Sequence, residues 1–215
     1  MAAKAQSRSG RRRLSGEERR EKIAAAAGEV FAERGYHAAS IAEIASRSGI
    51  SKAVLYDHFE SKQALHQYLL DSQISDLLTH ANAAVAGDDE PQERMRRGIE
   101  SFIQFMRERP SARRLLFNGD GAAPEVARTF QRVQRQATEA LVAMGAAEPG
   151  FLAGDPERLE RIEIVAQMVR GGLNELAAWA LEHPDVELGK IVDVALMLYW
   201  PGVRSMLPQG KTAPR

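Results

Sequence analysis

The chain of 215 residues contains no cysteine. Disulfide bridges, thiol nucleophiles and cysteine-bound metal sites are therefore excluded. No apolar run approaches the roughly 20 residues that a membrane-spanning helix needs. The basic N-terminus lacks the apolar core and the cleavage site of a secretory signal. We therefore expect a cytoplasmic protein without a membrane partner.

Signatures of catalysis are missing as well. His37, His66, His80 and His183 are scattered, and no two lie at a helical ligand spacing with a carboxylate partner. The sequence contains no Gly-x-Ser-x-Gly elbow, no phosphate-binding glycine loop and no zinc-protease helix. We therefore predict that the protein is not an enzyme, with no catalytic residue, no metal and no cofactor.

The net charge of zero conceals an asymmetry along the chain. Residues 1–62 carry 12 Lys and Arg against 8 Asp and Glu, whereas residues 63–215 carry 17 against 21. Residues 1–14 form a basic arm whose Ser, Ala and Gly cannot build a core. Such an arm either binds a polyanion through counterion release or only keeps the chain in solution.

Helical periodicity dominates the whole chain, and no convincing period-2 alternation of apolar residues appears. Capping serines, prolines in first turns and glycines after last turns predict an all-α fold of about nine helices. The predicted helix starts are Ser15, Ser40, Ser51, Ser61, Pro91, Pro124, Asp155-Pro156 and the residues after His183-Pro184-Asp185, with a shorter segment at 115–117. Glu18 and Glu43 are expected to complete capping boxes with Ser15 and Ser40. Gly35, Gly49, Pro110 and Pro201-Gly202 are expected to interrupt or end helices.

The segment Ser40–Lys62 has the pattern of a helix-turn-helix. Two short helices flank a tight turn at Gly49, and the second helix of such a motif enters the major groove of DNA. Its exposed positions carry hydrogen-bond donors and small groups, as in Lys52 and Tyr56, while Leu55 is expected in the core.

The motifs Gly35-Tyr36, 44–50 and Ser51-Lys-x-x-Leu-Tyr-x-His-Phe-x-x-Lys62 resemble the DNA-binding domain of the TetR (tetracycline-repressor-like) family. The resemblance covers about residues 17–70. It implies phosphate contacts by Ser40, Tyr56 and His58, and a clamp on the DNA backbone by Lys62. The candidate DNA-binding residues are Ser40, Arg47, Ser51, Lys52, Ala53, Val54, Tyr56, His58 and Lys62.

Several alternatives stay open within this segment. Ser40 has a capping role that is compatible with a phosphate contact. Either Ala53 or Val54 is placed to meet a thymine methyl group. Asp57 either accepts from a cytosine amino group or pairs with Arg47 or Lys52.

The helix that follows Pro156 is apolar on two sides, which indicates that it is buried on two sides. A monomeric bundle can explain this, but a subunit interface explains it better. We expect a homodimer in which the last two helices of each copy form a four-helix bundle. Gly171-Gly172 would permit close backbone approach there. The candidate interface residues are Leu173, Leu176, Ile191, Val194 and Leu198.

The remaining Phe, Met and Trp side chains either fill the core or line an apolar cavity between helices. The candidate ligand-binding residues are Phe102, Phe105, Met106, Phe117, Phe130, Gln134, Met168, Asn174 and Trp179.

Four segments follow from these observations: the arm at 1–14, a three-helix DNA-binding domain at 15–62, a helical regulatory and dimerisation domain at 63–207, and a loose tail at 208–215. The predicted function is a ligand-responsive regulator, a repressor that a small hydrophobic molecule releases from a palindromic operator. The alternative is a helical architectural or protein-interaction module without a ligand response.

Overall fold

The structure is a computed structural model that describes residues 15–109, 111–112 and 124–208, without the side chains of 124–126 and 129–130. Over these residues the chain forms eight helices and no strand, which confirms the predicted all-α fold. The helices are α1 (Gly16–Ala38), α2 (Ile41–Ser48), α3 (Lys52–His58), α4 (Lys62–Val85), α5 (Pro91–Glu108), α6 (Pro124–Ala147), α7 (Arg158–Glu182) and α8 (Leu188–Met206). The predicted basic arm, the short segment at 115–117 and residues 209–215 lie outside the described residues.

Serine side chains begin each of the first four helices, as the sequence predicts. The Ser15 hydroxyl accepts from the Glu18 N–H at 3.1 Å, and the Glu18 carboxylate accepts from the Ser15 N–H at 2.7 Å. The Ser40 hydroxyl likewise accepts from the Glu43 N–H at 3.1 Å. The Glu43 carboxylate, however, lies 3.5 Å from arginines of α1 and α2. The second capping box therefore has only its Ser40 hydrogen bond, because these cations compete for the Glu43 carboxylate.

Two glycines set the backbone of the N-terminal region. Gly49 adopts the left-handed conformation, with φ of 69°, and its N–H donates to the carbonyls of Ala45 and Ser46. Gly35 has φ of 73° and breaks the helical backbone of α1, after which one further turn runs to Ala38. Both positions favour glycine, because a left-handed backbone carries a steric cost for side chains with a Cβ.

The last helix continues through Pro201 to Met206, so of the two predicted effects of Pro201-Gly202 the helix end does not occur. Proline removes one N–H, which leaves the carbonyl of Met197 without its helical donor. Met197 and Pro201 both lie on the exposed side of α8. Water can therefore satisfy that carbonyl, and the helix is not forced to stop.

Two hydrophobic clusters hold the helices together. The first joins buried side chains of α1 to α4 with Phe105 and Met106 of α5 and Val133 of α6. The second joins α5, α7 and α8 around Ile103, Leu173 and other apolar residues. Because α4 belongs to the first cluster along most of its length, the N-terminal helices rest on the C-terminal ones through a continuous core.

No helix within the described ranges combines the length and the apolar character needed to cross a bilayer.

Candidate nucleic-acid interface

The helix-turn-helix is fixed from its inner side. Ile44 of α2 and Leu55 of α3 are fully buried, and Phe59 follows α3 with only 3% of its surface exposed. Because α3 has just seven residues, burying one side of it leaves the opposite side exposed. The core thus fixes the inner side of α3, and the outer face of α3 stays exposed.

The outer face of α3 carries most of the side chains that the sequence nominates for DNA. Lys52, Ala53 and Tyr56 are exposed, and Tyr56 keeps 51% of its surface accessible although it is a large aromatic. Val54 and His58 are half-buried. This face offers an ammonium group, a phenolic hydroxyl and small apolar contacts, which together suit phosphates and base edges.

Two exposed serines stand at the helix starts beside this face. The Ser51 hydroxyl accepts from the Val54 N–H at 3.2 Å, and Ser40 plays the same part for α2. A hydroxyl that accepts from the backbone still has its own hydrogen to donate to an anion. The capping role of both serines is therefore compatible with a phosphate contact.

Arg47 is exposed, its guanidinium pairs with carboxylates of α1 and α2, and a DNA contact by this residue stays a prediction. Its guanidinium makes two hydrogen bonds to Glu33 of α1, at 2.7 and 2.9 Å. Carboxylate oxygens of Glu29 and Glu43 lie 3.8 and 3.5 Å away. The Glu33 hydrogen bond raises the pKa of Arg47 above its ordinary value. Arg47 thus ties α2 to α1, and it pairs with these glutamates instead of Asp57.

Lys62 has a second role that the sequence did not indicate. Its Nζ donates to the carbonyl oxygens of His37 at 3.1 Å and Ala39 at 2.7 Å. It also lies 4.5 Å from the centre of the Tyr36 ring. Burial lowers the pKa of Lys62. Two of the three ammonium hydrogens are therefore committed to the end of α1, and one remains for an anion.

Arg20 was missed by the sequence analysis. Its guanidinium lies 4.6 Å from the ring centre of Phe59 and 4.5 Å from that of Tyr68, and it donates to the His58 carbonyl at 3.3 Å. It therefore fixes the C-terminal end of α3 against α1 and α4. The only signal in the sequence was the pair of aromatic residues near the end of the motif, which does not name the cation.

His66 is buried where α4 meets α1. Its ring centre lies 4.9 Å from those of both Phe31 and Tyr36, in edge-on contacts. Burial, and secondarily the charge of Lys62, lowers the pKa of His66 to about 4. The imidazole is therefore neutral near pH 7 and acts as an aromatic packing residue of the first cluster.

The outer faces of α7 and α8 expose large apolar side chains. Val194 and Leu198, both predicted at the dimer interface, are 54% and 72% exposed. Leu173 and Ile191 are corrections, because both are buried inside the second cluster, where a partner cannot reach them. Leu176 is half-buried against the same cluster. Three further apolar residues of these helices are exposed but do not belong to the predicted interface set: Leu159, Ile164 and Met197.

One glycine of the pair in α7 is needed for packing within the protomer. A Cβ on Gly172 would overlap the Tyr199 hydroxyl of α8, whereas one on Gly171 would meet open space. Gly172 thus lets α8 approach α7 closely within the protomer.

The predicted ligand residues do not form one cavity. Met168 is 68% exposed and Trp179 is 43% exposed, with Trp179 stacked on His183, so both lie on the outer surface instead. The periodicity places them on the second apolar stripe of α7, which faces outward because the first stripe fills the core.

The other predicted ligand residues lie deeper. Phe105 and Met106 are buried, while Phe102 and Asn174 are half-buried. The half-buried Gln134 accepts a hydrogen bond from Arg170 of α7. Phe117 and the side chain of Phe130 lie outside what the structure describes.

In the described part of the chain, no group of three or more His, Cys, Asp and Glu side chains is placed to hold a metal ion.

Comparison with known proteins agrees with this geometry. The sequence model "Bacterial regulatory proteins, tetR family" matches residues 23–69. The HTH-type transcriptional activator FasR of Mycolicibacterium smegmatis is 30% identical over 192 residues, which cover 89% of this chain and 85% of FasR.

Solved structures share the fold. A TetR-like transcriptional regulator from Rhodococcus sp. RHA1 superimposes with a TM-score of 0.71 at 22% identity, over 89% of this chain and 99% of its own. The transcriptional regulator FadR of Bacillus subtilis, solved in complex with stearoyl-CoA, gives 0.69 at 17% identity, over 83% of this chain and 96% of its own.

Proposed function

The chain belongs to the TetR family of bacterial transcriptional regulators, and from this premise we propose a specific mode of action. Two copies bind a palindromic operator through their α3 helices, and a small hydrophobic effector changes the affinity for that operator. The observation that carries the proposal is the outer face of α3. Its Tyr56 stays 51% exposed on a helix that is otherwise held by a fully buried Leu55. A large aromatic with a polar tip is expected at such a position when a partner covers it.

The proposed DNA contacts are of two kinds, contacts to phosphates and contacts to base edges. Lys52 and the hydroxyls of Ser40, Ser51 and Tyr56 bind phosphates and set the register of the protein on the duplex. His58 adds a donor at the end of α3. Ala53 and Val54 provide apolar contact to base edges, which carries sequence information.

The proposed dimer uses the outer faces of α7 and α8. Val194, Met197 and Leu198 lie within two turns of α8, and each exposes more than half of its surface. Contiguous apolar area of this kind marks an interaction site. A second copy is the proposed partner, because an operator with two-fold symmetry requires two recognition helices about one DNA turn apart.

The proposed effector response follows from the construction of the core. Helix α4 contributes to the same cluster as α1 to α3 and as Phe105, Met106 and Val133. An effector that binds beside these residues preferentially in one conformation would shift the population of α3 positions. The stearoyl-CoA bound to the B. subtilis FadR makes a fatty-acyl effector the first class to test.

The sign of regulation is proposed as repression. The relative from M. smegmatis is named an activator, so activation is the second candidate. A reporter driven by the promoter beside the gene distinguishes the two. Deleting the gene raises expression if the protein represses and lowers it if the protein activates.

The proposed effector response is tested separately. Fluorescence anisotropy measures binding of the promoter DNA to the full chain with and without stearoyl-CoA. We expect the affinity to change by about tenfold or more, the range of typical allosteric coupling. If the affinity for DNA stays the same with stearoyl-CoA, stearate and other hydrophobic ligands, the proposed effector response is wrong. The proposed DNA binding is not affected by that result.

A further inference from the structure

Lys22 of α1 lies beside the turn of the helix-turn-helix. It is exposed, and its Nζ lies 3.7 Å from the position that a Cβ on Gly49 would occupy. Gly49 is also exposed and lies two residues before Ser51, the N-cap of α3. Because consecutive Cα atoms are about 3.8 Å apart, the ammonium is within about 13 Å of the Ser51 Cα. Lys22 therefore places a cation next to the start of the recognition helix.

The charge of this ammonium is not balanced by a close anion. Within the described part of the chain, Lys22 has no hydrogen bond and no ion pair. Glu18, one turn earlier on α1, accepts from the Ser15 N–H at 2.7 Å and so stays at the helix start. Arg47, two residues before Gly49, has its guanidinium 2.7 Å from the Glu33 carboxylate. Of these two cations beside the turn, Lys22 is the one left for an external anion.

The alternative is a local role for Lys22 at the end of α2. The last carbonyls of a helix carry the negative end of its dipole and attract a cation. The Ile50 N–H, however, donates to the Ala45 carbonyl at 3.0 Å, and the Gly49 N–H donates to the Ser46 carbonyl at 3.1 Å. These two bonds form the motif that closes a helix at a left-handed glycine. Because α2 is already closed in this way, a partner outside the chain is favoured for Lys22.

We propose that Lys22 binds a phosphate of the operator DNA, next to the phosphates that the start of α3 binds. The proposal rests on the proposed DNA binding through α3. A lysine ammonium on a flexible stem binds a phosphate without a fixed geometry. Such a contact sets the position of the protein on the duplex and does not read bases. It extends the DNA interface from the helix-turn-helix onto α1, where the sequence analysis predicted no contact.

The first test is Lys22→Gln in the full chain. Glutamine forms helices about as well as lysine, so α1 should be preserved. Anisotropy titrations use the promoter DNA beside the gene and a shuffled duplex. We expect roughly tenfold weaker binding to both duplexes, because a hydrogen bond to a charged group is lost. The slope of log K against log salt should fall by about one.

Two further variants control this result. Lys22→Arg keeps the positive charge and should restore most of the affinity together with the wild-type salt slope. Arg34→Gln removes a cation from the same helix, where its side chain is 58% exposed, and should leave the slope unchanged. The Tm of each variant is measured, because a local role at the end of α2 would lower it in Lys22→Gln.

The second test identifies the phosphate itself. One phosphate at a time in the promoter duplex is replaced by an uncharged methylphosphonate. At one position in each half-site, the replacement should weaken binding of the wild type but have little further effect on Lys22→Gln, which has already lost that contact. Arg34→Gln should stay as sensitive as the wild type at every position. A role in folding alone would produce no such coupling.

The outcomes separate this contact from the proposed function. If the wild type binds neither duplex, DNA binding through α3 and the Lys22 contact are both wrong. If the wild type binds and Lys22→Gln has the same salt slope, the Lys22 contact alone is wrong, and a lowered Tm would assign Lys22 to the end of α2. A lowered slope without a coupled phosphate position would reduce Lys22 to a long-range charge effect and also overturn the contact.

Discussion

At the scale of single residues, two cations that look alike in the sequence have different surroundings. The exposed Lys52 points from α3 with no carbonyl or carboxylate holding it in the described structure. Lys62 is half-buried and donates to His37 and Ala39. A direct phosphate contact adds to the salt dependence of binding, whereas a residue that only positions the protein does not.

We therefore predict different salt slopes for two alanine variants. Lys52→Ala should weaken binding to every sequence and lower the slope of log K against log salt by about one. Lys62→Ala should weaken binding while the slope stays near the wild-type value. Anisotropy titrations from 50 to 200 mM salt, roughly the range over which such slopes are read, provide the measurement. A slope that falls by about one for Lys62→Ala would make its third ammonium hydrogen a phosphate contact.

Arg47 gives a second prediction at this scale. Arg47→Gln removes the hydrogen bonds to Glu33 and leaves Glu29, Glu33 and Glu43 to repel one another. We expect a lower Tm and weaker operator binding with an unchanged salt slope. Arg34→Gln, which loses only a 3.5 Å contact to Glu43, should have the smaller effect. A reduced slope in Arg47→Gln would show that Arg47 contacts the DNA backbone instead.

His66 predicts a pH dependence. Its pKa is about 4 in the folded chain and about 6.5 when unfolded. The unfolded state thus binds the proton first, so stability is undiminished above pH 6.5 and falls as the pH drops from 6.5 towards 4. The loss between pH 7 and 5 should be about 2 kcal/mol.

The control for this effect is His66→Phe, which keeps an aromatic ring beside Phe31 and Tyr36 but cannot titrate. Urea unfolding at pH 7 and pH 5 should show a smaller loss for the variant than for the wild type. Equal losses in the two proteins would assign the pH dependence to other groups.

At the scale of elements, the outer side of α8 matters most. Val194, Met197 and Leu198 expose apolar surface that a single protomer leaves in water. We predict that Leu198→Glu prevents dimerisation while the protomer stays folded, because a charge placed in an apolar interface is costly.

Sedimentation velocity with circular dichroism measures both properties. Gln67→Glu on the exposed side of α4 adds the same charge and should remain dimeric. A Leu198→Glu protein that sediments as a dimer would place the interface elsewhere.

The elements also show what can be learned from sequence. Helix starts at Ser15, Ser40, Ser51 and Ser61 were predictable, because each cap bonds to an N–H three residues away. The exposed face of α3 was predictable for the same local reason. In such local patterns, the two groups that interact lie within a few residues of each other in the sequence.

Contacts between distant residues were not predictable. Arg47 and its partner Glu33 are 14 residues apart, and Lys62 lies 23 residues from Ala39. Helix α7 carries two apolar stripes, and periodicity alone does not say which one turns inward. That ambiguity is why Leu173 was predicted at the interface and Met168 in a pocket. In the structure Leu173 faces the core and Met168 faces outward.

At the scale of the whole molecule, the first core connects the two functions. Phe105 and Val133 pack in the same cluster as Ile23 and Leu55. A displacement of α5 or α6 by an effector therefore cannot leave the N-terminal helices unaffected, since close-packed interiors transmit strain. The proposed domain boundary at residue 62 separates the DNA-binding role from the regulatory role. The hydrophobic core, however, is shared by the helices on both sides of that boundary.

The central claim is that two copies of this chain read an operator through the exposed face of α3. Its most direct test titrates the full chain onto the DNA beside its own gene and onto a shuffled duplex of the same length, with stoichiometry measured by sedimentation. We predict two protomers per operator, with an affinity at least about 10³-fold above that for the shuffled duplex. Equal affinity for the two duplexes, or a complex that contains one protomer, would contradict the account.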